Sequence, residues 1–363
     1  MKRIFTLVVA LVMVLSVAPL AVSAADLDAT AQVWYGTGTK DSYELTAADT
    51  LANAVKYAAN NAGTAVYIQV QNDIELTAAQ KIGAKNGTGV SITIDLNGKT
   101  ITSTAVAFDI SGDTNVTFVD TKGGGKVTAA GDYAVFNRYN NPKVTFYGGE
   151  YYGKAYAVCG YFNASYDTQA PEYTIYGGTF KNSPEKSHAI SIATGTLTVY
   201  GGTFEGAYSG VYLNGNKNGV AAKVVIAGGT YNAGTAAVAY NAANAGELVL
   251  ENSAVLNGLT VLATADIAPF ALPAGYSIVD AEGQTATALA ANTAYTIKAT
   301  GATAEVTTVV TEGTTAGTTA GTTAGTTASG NDDVAPETFD VAIIAAVAMA
   351  AAGAAFVCTK KRH

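Results

Sequence analysis

The chain has 363 residues, of which 49% are hydrophobic and 13% charged, with a formal net charge of −8. That balance excludes nucleic acid as a partner, because phosphate neutralisation needs clustered Lys and Arg, and between the two chain ends the one arginine is Arg138. Outside a C-terminal apolar run Cys159 is the lone cysteine, so the folded part has neither an intramolecular disulfide nor a cysteine metal site, and no cofactor is expected.

Residues 1–24 read as a secretory signal peptide. Lys2 and Arg3 lead into an apolar run from Ile4 to Val17, and Val22 and Ala24 stand at the −3 and −1 positions of a cleavage site. Residues 25–90 read as an N-terminal cap. Within it, 46–61 predicts a helix with Thr46 as N-cap, Asp49 three positions on, and Leu51, Ala54, Val55 and Ala58 along one face. The alternating segment AVYIQVQNDIEL (65–76) begins the sheet.

Residues 91–265 repeat. VTFYGGEYYG (144–153), YTIYGGTFKN (173–182), LTVYGGTFEG (197–206) and VVIAGGTYNA (224–233) are each followed by a second short apolar strand, and weaker copies flank them. Anchored on Ile94, Phe118, Phe146, Ile175, Val199, Ile226 and Leu250, the two-strand cassette recurs every 24 to 29 residues. That period signals a solenoid, and strands of three to five alternating residues make it a β-solenoid. One coil cannot bury its apolar side alone, whereas stacked coils share a continuous column; the Gly pair supplies the φ > 0 corner. Seven coils give a column roughly 34 Å long.

Residues 266–300 lose the repeat and read as short strands covering the last coil. Residues 301–335 form a spacer whose GTTA repeats have nothing to bury. The segment 336–363 then carries an apolar run from Val341 to Cys358, long enough for a transmembrane helix, and the basic Lys360, Lys361 and Arg362, which stay inside by the positive-inside rule.

The IDLNGKTI and YGGTF cassettes resemble the pectin-lyase-like right-handed parallel β-helix proteins displayed on Gram-positive bacteria, over roughly residues 45–265. The resemblance implies an all-β, right-handed parallel β-helix and covers lyases, hydrolases and non-catalytic adhesins alike. The order Pro336, Glu337, Thr338, Phe339, apolar run, basic tail resembles a cell-wall sorting signal. Pro336 and Thr338 match its pentapeptide, Ala335 and Phe339 depart from it, and the implied partner is a sortase-like transpeptidase or, without cleavage, the membrane itself.

Catalysis on such a scaffold needs acids stacked at the repeat period. The residue before the corner reads Asp95, Val119, Tyr147, Tyr176, Tyr200, Ala227, Glu251, and an outward column of the next strand reads Asp109, Arg138, Tyr161, Ala193, Asn214, Asn241. Asp109 beside Arg138 is the nearest approach to an acid–base pair and reads better as a surface ion pair; His188 reads as a solvated strand end. No catalytic residue and no metal ligand set is expected. The candidate ligand-binding residues are aromatic: Tyr147, Tyr176 and Tyr200 in register on successive coils, with Phe136, Tyr161 and Tyr212 outward on the neighbouring face. Tyr151, Phe180, Phe204 and Tyr231 read as core. Three functions are consistent with this pattern: a non-catalytic surface protein binding a glycan or a neighbouring or host protein, a polysaccharide lyase or glycoside hydrolase, and a structural surface spacer.

Overall fold

A computed structural model describes residues 27–83, 89–161, 169–183, 188–216, 222–244, 246–251 and 254–300, without the side chain of Arg138. The signal segment, the spacer, Pro336 to Phe339 and the apolar run 341–358 lie outside these residues. Among the described residues no helix is long and apolar enough to cross a membrane.

The described chain is an all-β parallel solenoid of about seven turns. Each coil contributes a strand to each of three sheets, here faces A, B and C. In the central coil these are Lys143–Phe146, Glu150–Gly153 and Tyr156–Gly160. The sequence predicts only two strands per coil. The missed face-B strands are two to four residues long and start three residues after the tyrosine or alanine of the corner in four successive coils, so they read as the tail of the preceding strand.

Inward positions stack on their own equivalents. Ile94, Phe118, Phe146, Ile175, Val199, Ile226 and Leu250 lie in register on face A, all but fully buried. Face B feeds the same core with Tyr151, Phe180 and Phe204, whose rings stack at 5.3 and 5.4 Å. Each such ring contributes about 2–3 kcal/mol by leaving water, and its neighbour above and below makes any lost ring a cavity.

Both ends are closed. The first coil starts earlier than residue 91, with strands Ala65–Val70, Ile74–Leu76 and Gln80–Ile82 paired in parallel to the next coil. Above it an antiparallel hairpin, Val33–Gly38 and Tyr43–Asp49, covers the top edge of face A. The helix spans Leu51–Asn60 rather than 46–61, and its N-cap is Thr50, whose hydroxyl accepts from the Asn53 amide at 3.3 Å. Thr46 and Asp49 instead lie in the second hairpin strand, where Asp49 pairs with Val33 and Thr46 is the residue skipped at a bulge opposite Tyr35 and Gly36. Leu51, Ala54, Val55 and Ala58 bury the helix face against the core. At the other end Ala294–Ala299 runs antiparallel to the last face-C strand, Thr260–Ala263, and to Tyr276–Val279.

The corner from face A to face B depends on glycine. The second residue of each pair has positive φ: Gly149 (89°), Gly178 (106°), Gly202 (96°) and Gly229 (104°). A Cβ on Gly202 would also lie 3.0 Å from the Gly178 carbonyl oxygen. Gly202→Val is therefore expected to destabilise the fold by about 3 kcal/mol through backbone strain and that contact, read as a lower midpoint in urea unfolding. An unchanged midpoint would contradict this corner.

Candidate functional site

The outer side of face A carries two adjoining ranks. Thr93, Thr117, Thr145, Thr174 and Thr198 form one, in strand register. Two residues further along each strand runs the column Asp95, Val119, Tyr147, Tyr176, Tyr200, Ala227, Glu251. Its members are not equivalent. Asp95 is fully buried and accepts from Tyr67 Oη (2.8 Å), Gln69 Nε2 (3.2 Å), the Asn97 amide (2.9 Å), and Thr121 N and Oγ1 (3.0 and 2.7 Å). Tyr67 is in turn covered by Tyr43 of the hairpin, ring on ring at 3.7 Å. Asp95 thus holds the Asn97-Gly98 corner, where Asn97 has φ 52°, and is not presented to solvent.

Below this covered region the column emerges. Tyr147, Tyr176 and Tyr200 are 41, 48 and 51% exposed and, with Tyr161, are the exposed large hydrophobic side chains among the described residues. Their ring centroids are 4.9 and 5.2 Å apart and successive planes differ by 12°. Parallel rings lying side by side in one plane cannot come so close without overlapping. The rings are therefore offset-stacked upon one another, and what they turn to solvent is a ladder of edges with phenol hydroxyls, not a flat floor of faces. The upper face of Tyr147 is taken by the ammonium of Lys40, 4.8 Å from the ring centroid.

Beside the ladder runs a feature the sequence reading passed over. Corner glycines of four successive coils, at 123–125, 148–149, 177–178 and 202, leave no side chains there, and an open trough of about 790 Å³ follows them along the axis. Gly149, Gly178 and Gly202 form its floor, Glu150, Thr179, Thr203 and Thr230 its far side, and Asp120 and Lys126 also line it. The signal for it was present in the fourfold Tyr/Ala-Gly-Gly-Glu/Thr pattern, where glycine was read as turn chemistry alone. Ion pairs stiffen the face beyond: Lys181 reaches Glu150 (3.0 Å) and Glu205 (3.3 Å), and Lys126 reaches Glu150 (3.6 Å). Burial alone would raise the Glu150 carboxyl, but its hydrogen bond and attraction to Lys181, with Lys126, hold it below the usual carboxylate range.

The other aromatic candidates do not join this surface. Phe136 is buried, stacked on Tyr133 at 4.7 Å and tilted against Tyr161 at 6.0 Å. Tyr212 is half-buried in the same column as Phe136, separated from it by Cys159 and Ser191. Tyr161 is exposed just past the end of its strand. Asp109 and Arg138 are not opposite one another: the register pairs Asp109 with Phe136, and a shift between Asn137 and Tyr139 displaces the row of Arg138. Among the described residues no group of three or more His, Cys, Asp or Glu is placed to hold a metal ion.

His188 is not a solvated strand end. It is 8% exposed, stacked on Tyr212 at 4.1 Å, with Nδ1 2.7 Å from Ser209 Oγ. The Ser209 hydroxyl donates to the Val211 carbonyl and is fully buried, so the pair holds two coils together rather than offering a nucleophile. No protein-family model, curated protein or solved structure matches the chain.

Burial lowers the His188 pKa to about 4. An unfolded histidine titrates near pH 6.5, so the unfolded state binds the extra proton first on acidification. Stability is full above about pH 6.5 and is lost as pH falls towards 4. The loss is on the order of 2–3 kcal/mol for a shift of this size. Denaturant midpoints between pH 7 and 5 should fall in wild type and stay nearly level in His188→Gln; equal slopes would show that His188 is not buried neutral.

Proposed function

We propose that the protein is a non-catalytic binding scaffold displayed outside the cell, and that its ligand is an extended glycan lying along the face A–face B corner. The reading is carried by the ladder of Tyr147, Tyr176 and Tyr200 beside the glycine trough. Its steps of 4.9 and 5.2 Å are close to the rise of one sugar ring in an extended chain. The ring edges, phenol hydroxyls and the hydroxyls of Thr179 and Thr203 offer hydrogen bonds at that pitch on either side of a backbone floor. A sugar would accordingly be held edge-on, by hydroxyls and ring edges, rather than stacked on ring faces. Kinship with right-handed pectin-lyase-like helices, with their lyases and hydrolases, remains part of the same reading through the IDLNGKTI and YGGTF cassettes. Catalysis finds no support at the corner, since each acid there in the first coils is already engaged: Asp95 is fully buried and saturated with hydrogen bonds, Asp120 accepts from the Gly98 and Gly125 amides (2.8 and 2.7 Å), and Glu150 is paired with Lys181 and Lys126.

Tyr147, Tyr176 and Tyr200 replaced together by Ser should keep the solenoid, because all three side chains lie outside the core, and should weaken binding to oligosaccharides long enough to span three rungs by about tenfold or more. Titration calorimetry on the purified domain reads this. Wild-type affinity in the triple variant would place the site elsewhere.

Export through residues 1–24 and attachment through 336–363 complete the proposal. The order Pro336, Glu337, Thr338, Phe339, apolar run and basic tail supports attachment by a sortase-like transpeptidase or by membrane retention. Deletion of 339–363 should release the protein into the medium; a deletion product that stays with the cells would remove the tail as anchor.

A further inference from the structure

The tyrosine ladder ends differently above and below. Above, the face of Tyr147 is covered by the Lys40 ammonium, which is also ion-paired with the carboxylate of Asp41. Below, the next residue in the column is Ala227, whose strand follows that of Tyr200 in register, and the one after is Glu251, which is exposed. Tyr200 is the most exposed of the three rings, and among the described residues no ring or cation lies against its lower face. The lower end therefore has a ring face, a step left vacant by a methyl side chain, and a carboxylate one step further on. These are the two groups that hold Lys40 at the upper end, with the cation missing.

We propose that this vacant step between Tyr200 and Glu251 is a binding site for an organic ammonium group, and that the ligands which fill it are amino sugars. The ammonium chemistry stands on the Lys40 arrangement alone; the sugar carrier rests on the glycan reading above. A cation centred over the Tyr200 ring gains the attraction of its π face, and the exposed carboxylate of Glu251 adds a second, salt-sensitive term. A glycan lying in the trough passes this step as it leaves the last tyrosine, so one unacetylated amine at that position is read where neutral sugars are not.

The test compares oligomers of glucosamine and of N-acetylglucosamine, equal in length, by titration calorimetry at about pH 6, where only the first carries ammonium groups. Wild type should prefer the glucosamine oligomer by about fivefold at low salt. Ala227→Tyr fills the vacant step and should abolish the preference; Glu251→Gln, at an exposed position that leaves the fold untouched, should reduce it about twofold to threefold and flatten its salt dependence. Should Ala227→Tyr fail to fold, Glu251→Gln decides. Equal binding of the two oligomers by wild type, no binding of the glucosamine oligomer, or a preference unchanged in the variants that fold would overturn the proposal. The glycan reading fails separately: if the triple tyrosine variant keeps full affinity for neutral oligosaccharides, the trough is wrong, whereas the ammonium preference is read from Ala227 and Glu251.

Discussion

Parallel pairing at a fixed strand spacing governs every other feature of this molecule. Each coil must bring the chain back one strand spacing along the axis and in register, so a residue's neighbours above and below are its own equivalents. Inside, this rule makes Phe118 meet Phe146 at 5.3 Å and Phe180 meet Phe204 at 5.4 Å. Outside, it aligns threonine with threonine and tyrosine with tyrosine, and along one rank it sets Lys143 on Glu172 (2.9 Å) and Lys223 on Glu247 (3.1 Å). The exposed tyrosine ladder is thus the outer imprint of the same repetition that builds the core.

What was legible in the sequence follows from which signals repetition amplifies. The face-A column could be read residue by residue because each strand alternates over four or five positions and four successive strands run into a Gly-Gly corner. Face B could not, since strands such as Thr203–Glu205 hold one inward residue and give no alternation to detect. The tyrosine ladder was visible as a spacing, but the orientation of its rings was not. Register says that Tyr147 and Tyr176 are adjacent, whereas side-chain torsion decides whether they lie flat or stack. Phe136, Asp95 and His188 were misjudged for a common reason. Each sits on an outward position of its strand, and each is covered by another side chain: Tyr133 of the same strand on Phe136, Tyr67 beneath Tyr43 on Asp95, and Tyr212 on His188. Strand parity predicts which side a residue takes, not what lies over it.

The hairpin at the N-terminal end links these two levels. It satisfies the top edge of face A, which would otherwise present unpaired backbone groups. Its Tyr43 seals the first coils, and its Lys40 reaches down to the first exposed ring. Capping the fold and bounding the ladder are consequently performed by one element, and the length of the hairpin tip decides on which coil the exposed surface begins.

Coil length varies from 24 to 29 residues, yet the corner beside the ladder does not vary over four coils: Phe146 to Glu150, Ile175 to Thr179, Val199 to Thr203 and Ile226 to Thr230 each span the same interval. The surplus residues fall mainly between faces C and A, as at 162–168 and 217–221, away from the trough. Variation at one corner and constancy at another leave the gene free to duplicate. Copying the stretch from Tyr176 to Val199 would insert one more tyrosine, one more glycine pair and one more threonine in phase with the rest. If the proposed glycan site is right, its reach would then grow in increments of a single sugar, and a lineage could tune it by counting repeats rather than by altering any contact.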